Sequence, residues 1–393
     1  MRVLLGMGWS GGWRYRIWLL FLAMLAIPGV SGWVEQQTEG LSVTGMSDAV
    51  SWGWYIGQFV FFVGIAASAI ILVVPALVWA GQEWRTVALI GEAMAVCAVC
   101  ASLLFILVDV GRPERFWHGL PFVGTPHFPS SILSWDLLVL LVYLFLNAGL
   151  GYWHLRHRLQ TRIHPESHRL LPWILVAVLA GIGIHVVTAF LLAGNPSRPF
   201  WNTALLAPRF IVTALAAGSG WMILTLVILR HVAGLVVADP VWTLLARVMA
   251  SVLLINLIFL ASEFFVAFHR PSGHSLFMQS LWSGQGDTPF HGLWMKGAWA
   301  LQVCATVGSL WALWRGVTHG WLVCAALLTV AGIWMEKGVG LIVGGFLPTP
   351  LGEWASYHPT WIEYRVTLAI MAMVLFLFSL LVRIILAVEA RTR

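Results

Sequence analysis

The stretch LPWILVAVLAGIGIHVVTAFLLA, residues 171–193, carries a single ionisable side chain, His185. An α-helix needs about 20 predominantly apolar residues to cross the hydrocarbon core of a bilayer, and this run supplies them. Nine other runs read the same way, so the expected spans are 17–33, 54–80, 86–109, 131–152, 171–193, 208–229, 243–268, 293–314, 320–346 and 364–388. Of the 393 residues, 60% are hydrophobic and only 10% charged, whereas a soluble globular chain carries roughly 25% charged residues. The reading is an all-α polytopic membrane protein of about ten transmembrane helices, one integral membrane domain over 1–393.

The net charge is +6, but the basic groups, all arginine except Lys296 and Lys337, stand mostly singly between apolar runs. They act as topology signals rather than as a surface for nucleic acid. With the N-terminus in the cytoplasm, fourteen arginines fall on the cytoplasmic side and six on the outer side, four of the fourteen in the loop 153–170. The expected placement is a multi-pass protein of the bacterial cytoplasmic (inner) membrane with both termini inside. The first run, with its basic flank and the small residues Pro28–Gly32, also fits a cleaved signal peptide. Cys97, Cys100, Cys304 and Cys324 all lie in apolar runs, which speaks against a disulfide framework. The Cys97-x-x-Cys100 pair reads as small-residue packing.

Ionisable groups at membrane depth cost about 2.5–3.5 kcal/mol each on insertion scales, so each needs a reason. They are Glu92, Asp109, Asp136, His185, Glu263, Glu336 and Lys337, with Gln58 one turn into the second helix behind Trp54 and Tyr55. All but Glu92 belong to the outer half of the bundle, as a polar pocket opening near the outer face requires. Each also has a plainer role. Asp109 with Arg112 makes a helix-end ion pair, His185 a packing histidine, and Glu336 with Lys337 a structural pair. Adjacent helical residues point about 100° apart, so these last two need not pair with each other. Only His185 lies deep enough for a haem ligand, and no facing histidine accompanies it, so a haem is not indicated. Arg112–Pro113, Arg198–Pro199 and Arg270–Pro271 follow the third, fifth and seventh runs on one face. The recurrence after the third and seventh points to two four-helix bundles plus two extra helices.

The run Asp109–Val110–Gly111–Arg112–Pro113–Glu114–Arg115–Phe116–Trp117 resembles the signature of the NrfD/PsrC family of quinol-interacting membrane subunits. Ser51–Trp52–Gly53–Trp54–Tyr55–Ile56 is similar to the start of that family's core. Glu336–Lys337–Gly338, Gly344–Gly345–Phe346, Pro348–Glu353 and Pro359–Trp361 resemble its ten-helix branch, the DsrP-like subunits of DsrMKJOP sulfur-metabolism complexes.

The resemblance implies a membrane anchor that exchanges electrons between quinone (menaquinone or ubiquinone) and an iron–sulfur protein docked on the outer face. Other membrane and cytochrome subunits and membrane lipids would accompany it. Such a subunit belongs to an oxidoreductase complex of a respiratory chain, is expected to carry no metal centre of its own and is not catalytic alone. The implied quinone site takes Asp109 and Arg112 by motif and Gln58 by position, with Trp54, Tyr55 and Trp135 as aromatic wall and Asp136 as a second proton station. This pocket would be walled by the second, third and fourth helices. Glu92, His185, Glu263, Glu336 and Lys337 would relay protons. Two other functions fit the same residues: a secondary transporter or proton-translocating subunit without redox chemistry, for which Gly338–Gly345 offers a helix break, and a purely structural anchor.

Overall fold

A computed structural model describes residues 2–66, 70–72, 82–120, 123–124, 127, 129–161, 167–269, 275–276, 278–279, 289–317, 319–347, 349, 353 and 355–392. Lipid offers backbone groups no hydrogen-bond partner, so apolar runs of this length satisfy their own N–H and C=O groups as helices. The short α1 (Arg2–Trp9) precedes α2 (Trp13–Glu39), α3 (Trp54–Ala66), α4 (Gln82–Asp109) and α5 (Ile132–Thr161). Then come α6 (Ser167–Ala193), α7 (Leu206–Ala233), α8 (Asp239–His269) and α9 (Pro289–Trp314). The ninth expected span is broken: α10 (His319–Met335) passes through a π-helical turn, Glu336–Gly340, into α11 (Leu341–Gly344). The chain ends in α12 (Trp361–Thr392).

Among the described residues, nine helices are long and apolar enough to cross a membrane, matching nine of the ten expected runs. The remaining run, 293–314, is also helical, within α9, where Lys296 and Gln302 dilute the apolar character. Several stretches singled out in the sequence lie outside the described residues: 73–80 of the second run, Arg270–Gly273, Pro348, Pro350–Gly352 and the Arg162–Glu166 part of the arginine-rich loop.

Helices α3 to α6 pack in chain order as one four-helix group, and α7 to α10 as a second. The groups meet where α3 and α6 lie against α7 and α3 lies against the π turn. Helix α3 is therefore enclosed, every residue from Trp54 to Ala66 being buried, which suits a run apolar on all sides. Helices α2 and α12 pair with each other, and α12 leans on α4. Gly57 permits the approach of α3 to the break: a Cβ there would stand 3.0 Å from the Val339 nitrogen and 3.1 Å from the Gly338 carbonyl carbon.

Cross-links show which helix ends share a face. Gln36 Nε2 donates to the Val108 carbonyl at 2.6 Å, the Trp54 N–H to Tyr357 Oη at 2.6 Å, and Trp201 Nε1 to the Leu341 carbonyl at 2.8 Å. This is the Asp109 end. At the opposite end Arg158 and Glu389, both buried, form an ion pair at 3.7 Å, and Arg383 donates to the Ser10 carbonyl. Leu4 and Met7 of α1 pack on Ile384 and Val388 there.

Helix α2 continues through Pro28–Gly32 and uses Gly29 against α12, where a Cβ would overlap the Arg365 carbonyl oxygen. Small residues let membrane helices approach this closely. Gly29→Leu is expected to lower the melting temperature of the detergent-purified protein, a loss of about 1–3 kcal/mol from overpacking. Gly149→Ala, at a position where an added Cβ meets nothing within 4 Å, serves as the neutral control.

Candidate functional site

Arg209 occupies the first turn of α7 and points into the second helix group. Its guanidinium forks between Glu263 of α8 and Glu336 of the π turn, with hydrogen-bonded ion pairs to both carboxylates. Planar guanidinium geometry suits two carboxylates at once, which an ammonium does not match. Glu336 also accepts from Gln302 Nε2 at 2.6 Å and Trp299 Nε1 at 3.2 Å, and Asn256 Nδ2 donates to Gln302 Oε1 at 2.6 Å. Lys337 turns the other way: its Nζ donates to the Phe210 carbonyl at 3.1 Å and stands 4.2 Å from the Phe210 ring centroid. Two carboxylates thus share one guanidinium in a buried interior, with the Lys337 amine turned to Phe210. A cavity of about 30 Å³ lies between Arg209, Glu336, Lys337 and Phe210, room for a water molecule. His185 of α6 lies within electrostatic reach of Lys337, and its ring nitrogens have no hydrogen-bond partner among the described residues.

A second polar group lies at the Asp109 end. Tyr55 Oη donates to Gln36 Oε1 at 2.9 Å. Asp109, the last residue of α4, is close enough to interact electrostatically with Tyr55 and Glu363. Its Oδ1 is buried without a hydrogen-bond partner among the described residues. Glu363 accepts from Tyr357 Oη at 2.6 Å and from the N–H groups of Gly45 at 2.8 Å and Thr360 at 2.9 Å. Burial first, and then the Glu363 charge, push the Tyr357 phenol well above its usual range. It therefore keeps its proton, donates to Glu363 and accepts from the Trp54 N–H. Arg365 pairs with Glu35, joining α12 to α2.

Between α5, α6 and the start of α7 an open groove of about 690 Å³ is lined by Ile132, Trp135, Val187, Phe190, Asn202 and Ala207, among others. Asp136 and Thr188, next in sequence to Trp135 and Val187, are buried behind that wall. Thr188 Oγ1 donates to Asp136 Oδ1 at 2.6 Å, and Asp136 Oδ2 has no partner among the described residues. Glu92 stands apart on α4, within charge reach of Tyr143.

The expected residues therefore fall into separate places. Asp109 and Tyr55 come together; Glu263, Glu336 and Lys337 come together with His185 nearby; Trp135 lines the groove, and Asp136 lies buried outside its lining. Arg112 does not turn to Asp109: its side chain is 72% exposed and sits 3.7 Å from Glu114. Gln58 faces the second group, where Trp334 Nε1 donates to its Oε1 at 2.9 Å. Trp54 donates its indole N–H to Thr367 Oγ1 at 3.0 Å. The groove lies between the fourth, fifth and sixth spans rather than among the second, third and fourth.

Sequence reasoning missed Gln36, Tyr357 and Glu363 beside Asp109, and Gln302 beside Glu336. It counted Arg209 only among the topology-setting arginines. Gln302, an amide inside an apolar run, was the signal available. Gln36 and Glu363 sit at the edges of the first and last runs, where polar residues are ordinary.

An all-helical membrane protein with two helix groups and polar sites buried between them defines the class. Residues 42–347 match the family profile described as polysulphide reductase, NrfD; the chain belongs to that family. It is 27% identical, over 92% of its length and 89% of the other's, to a candidate dimethyl sulfoxide reductase membrane subunit of Halobacterium salinarum. It is 26% identical, over 53% of its length and 55% of the other's, to a selenate reductase subunit of Mesobacillus selenatarsenatis. To the Hdr-like menaquinol oxidoreductase integral membrane subunit of Archaeoglobus fulgidus it is 22% identical, over 96% and 95% respectively. Among the described residues, no group of three or more His, Cys, Asp or Glu side chains is arranged to hold a metal ion.

Arg209→Gln leaves Glu263 and Glu336 without the cation between them. It is expected to cost about 3–5 kcal/mol, as removal of one partner from a buried ion pair does. Thermal unfolding in detergent checks this, and Arg209→Gln combined with Glu263→Gln and Glu336→Gln is expected to recover most of the loss.

Proposed function

We propose that this chain is the quinone-handling membrane subunit of a multi-subunit redox complex. It exchanges electrons between membrane quinone and an iron–sulfur protein docked at the Asp109 end, taken as the outer face. The observation that carries the proposal is the apolar groove lined by Trp135 and Phe190 with Asn202 and Thr203 at its polar edge, at the same end as Asp109. An apolar concavity with a few convergent polar groups is the usual form of a site for an apolar ring-bearing ligand. Family membership and a relative named for menaquinol support the reading. The residues present fit such a ligand: Trp135 and Phe190 offer ring faces and Asn202 and Thr203 polar edges. A bound quinone would supply two-electron, two-proton redox chemistry, its electrons exchanged with the partner and its protons with this chain's carboxylates.

This chain's part is to seat the head group and manage protons. Asp109 and Asp136 take up or supply a proton at carboxylate oxygens left without partners, and Tyr55 shapes the Asp109 environment. Glu92, His185, Glu263, Glu336 and Lys337 form the further relay, with Arg209, Gln302 and the small cavity at its centre. The likeness of Glu336–Glu353 to DsrP-like subunits supports a place in sulfur-compound metabolism, within a DsrMKJOP-like set of partners. The arginine count supports a cytoplasmic-membrane placement with both termini inside.

The test is to purify the complex in mild detergent, extract its lipids and quantify quinone. About one quinone per complex is expected, falling at least several-fold in Trp135→Ala and Asp109→Asn. No quinone in the wild-type complex would sink the reading, and equal quinone in both variants would displace the site. For topology, a C-terminal fluorescent fusion that folds only in the cytoplasm is expected to be bright; a dark fusion, with a periplasm-active reporter positive instead, would reverse the orientation.

A further inference from the structure

Independently of the quinone reading, we infer that a groove at the end opposite Asp109, between the start of α8 and the end of α9, binds a zwitterionic aminophospholipid. Arg247 takes the phosphate and Asp239 the ammonium of a phosphatidylethanolamine headgroup.

The groove has a volume of about 460 Å³. Asp239, Thr243 and Arg247 of α8 line it, together with Leu313 at the end of α9 and Gly316 and Val317 just beyond. The three α8 residues recur every fourth position, which sets them on one face of the helix. Thr243 Oγ1 donates to the Asp239 backbone carbonyl at 3.0 Å and leaves the carboxylate alone. Both charged side chains are exposed, and among the described residues neither enters an ion pair. They do not satisfy each other along the helix either. Helical ion pairs form three or four residues apart, and these two stand eight apart, about 12 Å of rise. The groove therefore presents one cation and one anion, separated and in a fixed order.

Depth in the bilayer gives that order its meaning. Helix α8 has 31 residues, about 46 Å of rise, which matches a bilayer with its headgroup layers at about 40–45 Å. Asp239 opens the helix at the water side of the headgroup layer, and Arg247 lies two turns inward, at the edge of the hydrocarbon. Exposed Trp311 and Trp314 mark the same level on α9, with the Arg315 guanidinium 5.0 and 5.2 Å from their ring centroids. A guanidinium at the hydrocarbon edge cannot shed its charge, is costly without an anion, and reaches outward on its long stem.

A glycerophospholipid holds its phosphate next to the acyl chains. In phosphatidylethanolamine the ammonium lies farther out, towards water. From the hydrocarbon outward this is the order of Arg247 and then Asp239. The guanidinium fork matches phosphate oxygens, and the ammonium N–H groups match the carboxylate. Leu313 and Val317 supply apolar surface for the start of an acyl chain. Phosphatidylglycerol brings the phosphate but no cation for Asp239, so the carboxylate discriminates between the two lipids.

The test delipidates the purified full-length protein in detergent and titrates it with palmitoyl-oleoyl phosphatidylethanolamine or phosphatidylglycerol, counting bound lipid by native mass spectrometry. Arg247→Gln is expected to lose one bound phosphatidylethanolamine per chain, an increment that separates this site from the surrounding lipid. At this site the wild type is expected to bind phosphatidylethanolamine at least about threefold more tightly than phosphatidylglycerol, as one exposed ion pair supplies. Asp239→Asn is expected to abolish the preference, and Asp239→Lys to reverse it by setting a second cation beside the phosphate. A merely structural role for Asp239 does not predict that reversal. Equal or tighter binding of phosphatidylglycerol by the wild type overturns the inference, and this comparison stands even where a variant fails to fold. No lipid lost in a folded Arg247→Gln overturns it too, as does displacement of the lipid by inorganic phosphate, which marks a site for the free anion. A preference unchanged in Asp239→Asn overturns the role of Asp239.

Discussion

The interior of the second helix group depends on Arg209. Its fork holds Glu263 of α8 and Glu336 of the π turn, so three segments distant in sequence are joined at one planar cation. In a medium of low dielectric a carboxylate without such a partner is strongly disfavoured. The ninth span breaks where it meets this cluster. The π turn carries Glu336 and Lys337 on adjacent positions, sends one side chain to Arg209 and the other to the Phe210 carbonyl, and brings Gly338 against Gly57 of α3. The break and the charge cluster are therefore one feature. Irregular backbone within a membrane is tolerated where it is enclosed by protein, and here it is enclosed by α3, α9 and α10.

At the Asp109 end the two outlying helices do more than flank the bundle. Helix α2 brings Gln36, and α12 brings Glu363 and Arg365, none within the segment shared with the family. Through Tyr357 the Glu363 carboxylate also secures the N-terminus of α3. The first turn of α3, which carries Tyr55, is thereby anchored from the same network that surrounds Asp109. A short hydrogen-bonded chain from Val108 through Gln36 to Tyr55 sets the direction of one proton there.

The spans were legible in the sequence because bilayer thickness and helical rise together dictate a length of apolar chain, which needs no partner to be recognised. The buried titratable groups were legible for a related reason: Glu263 or Lys337 in an apolar run stands out by its cost alone. Motif residues Asp109 and Trp117 pointed to the family without any geometry. What the sequence left undetermined was pairing. Arg112 lies three residues from Asp109 yet turns to Glu114, and Glu336 adjoins Lys337 yet pairs with Arg209, 127 positions away. Gln36 meets Val108 across 72 positions. Side-chain direction depends on helix rotation and tilt, which come from packing against several neighbours at once and leave no periodic trace in any one helix. By itself, then, the sequence determined the membrane class, nine of its ten expected apolar helices and several of the titratable groups buried within them. The tertiary structure alone decided which of those groups meet, because a contact between helices is set by the surfaces of both.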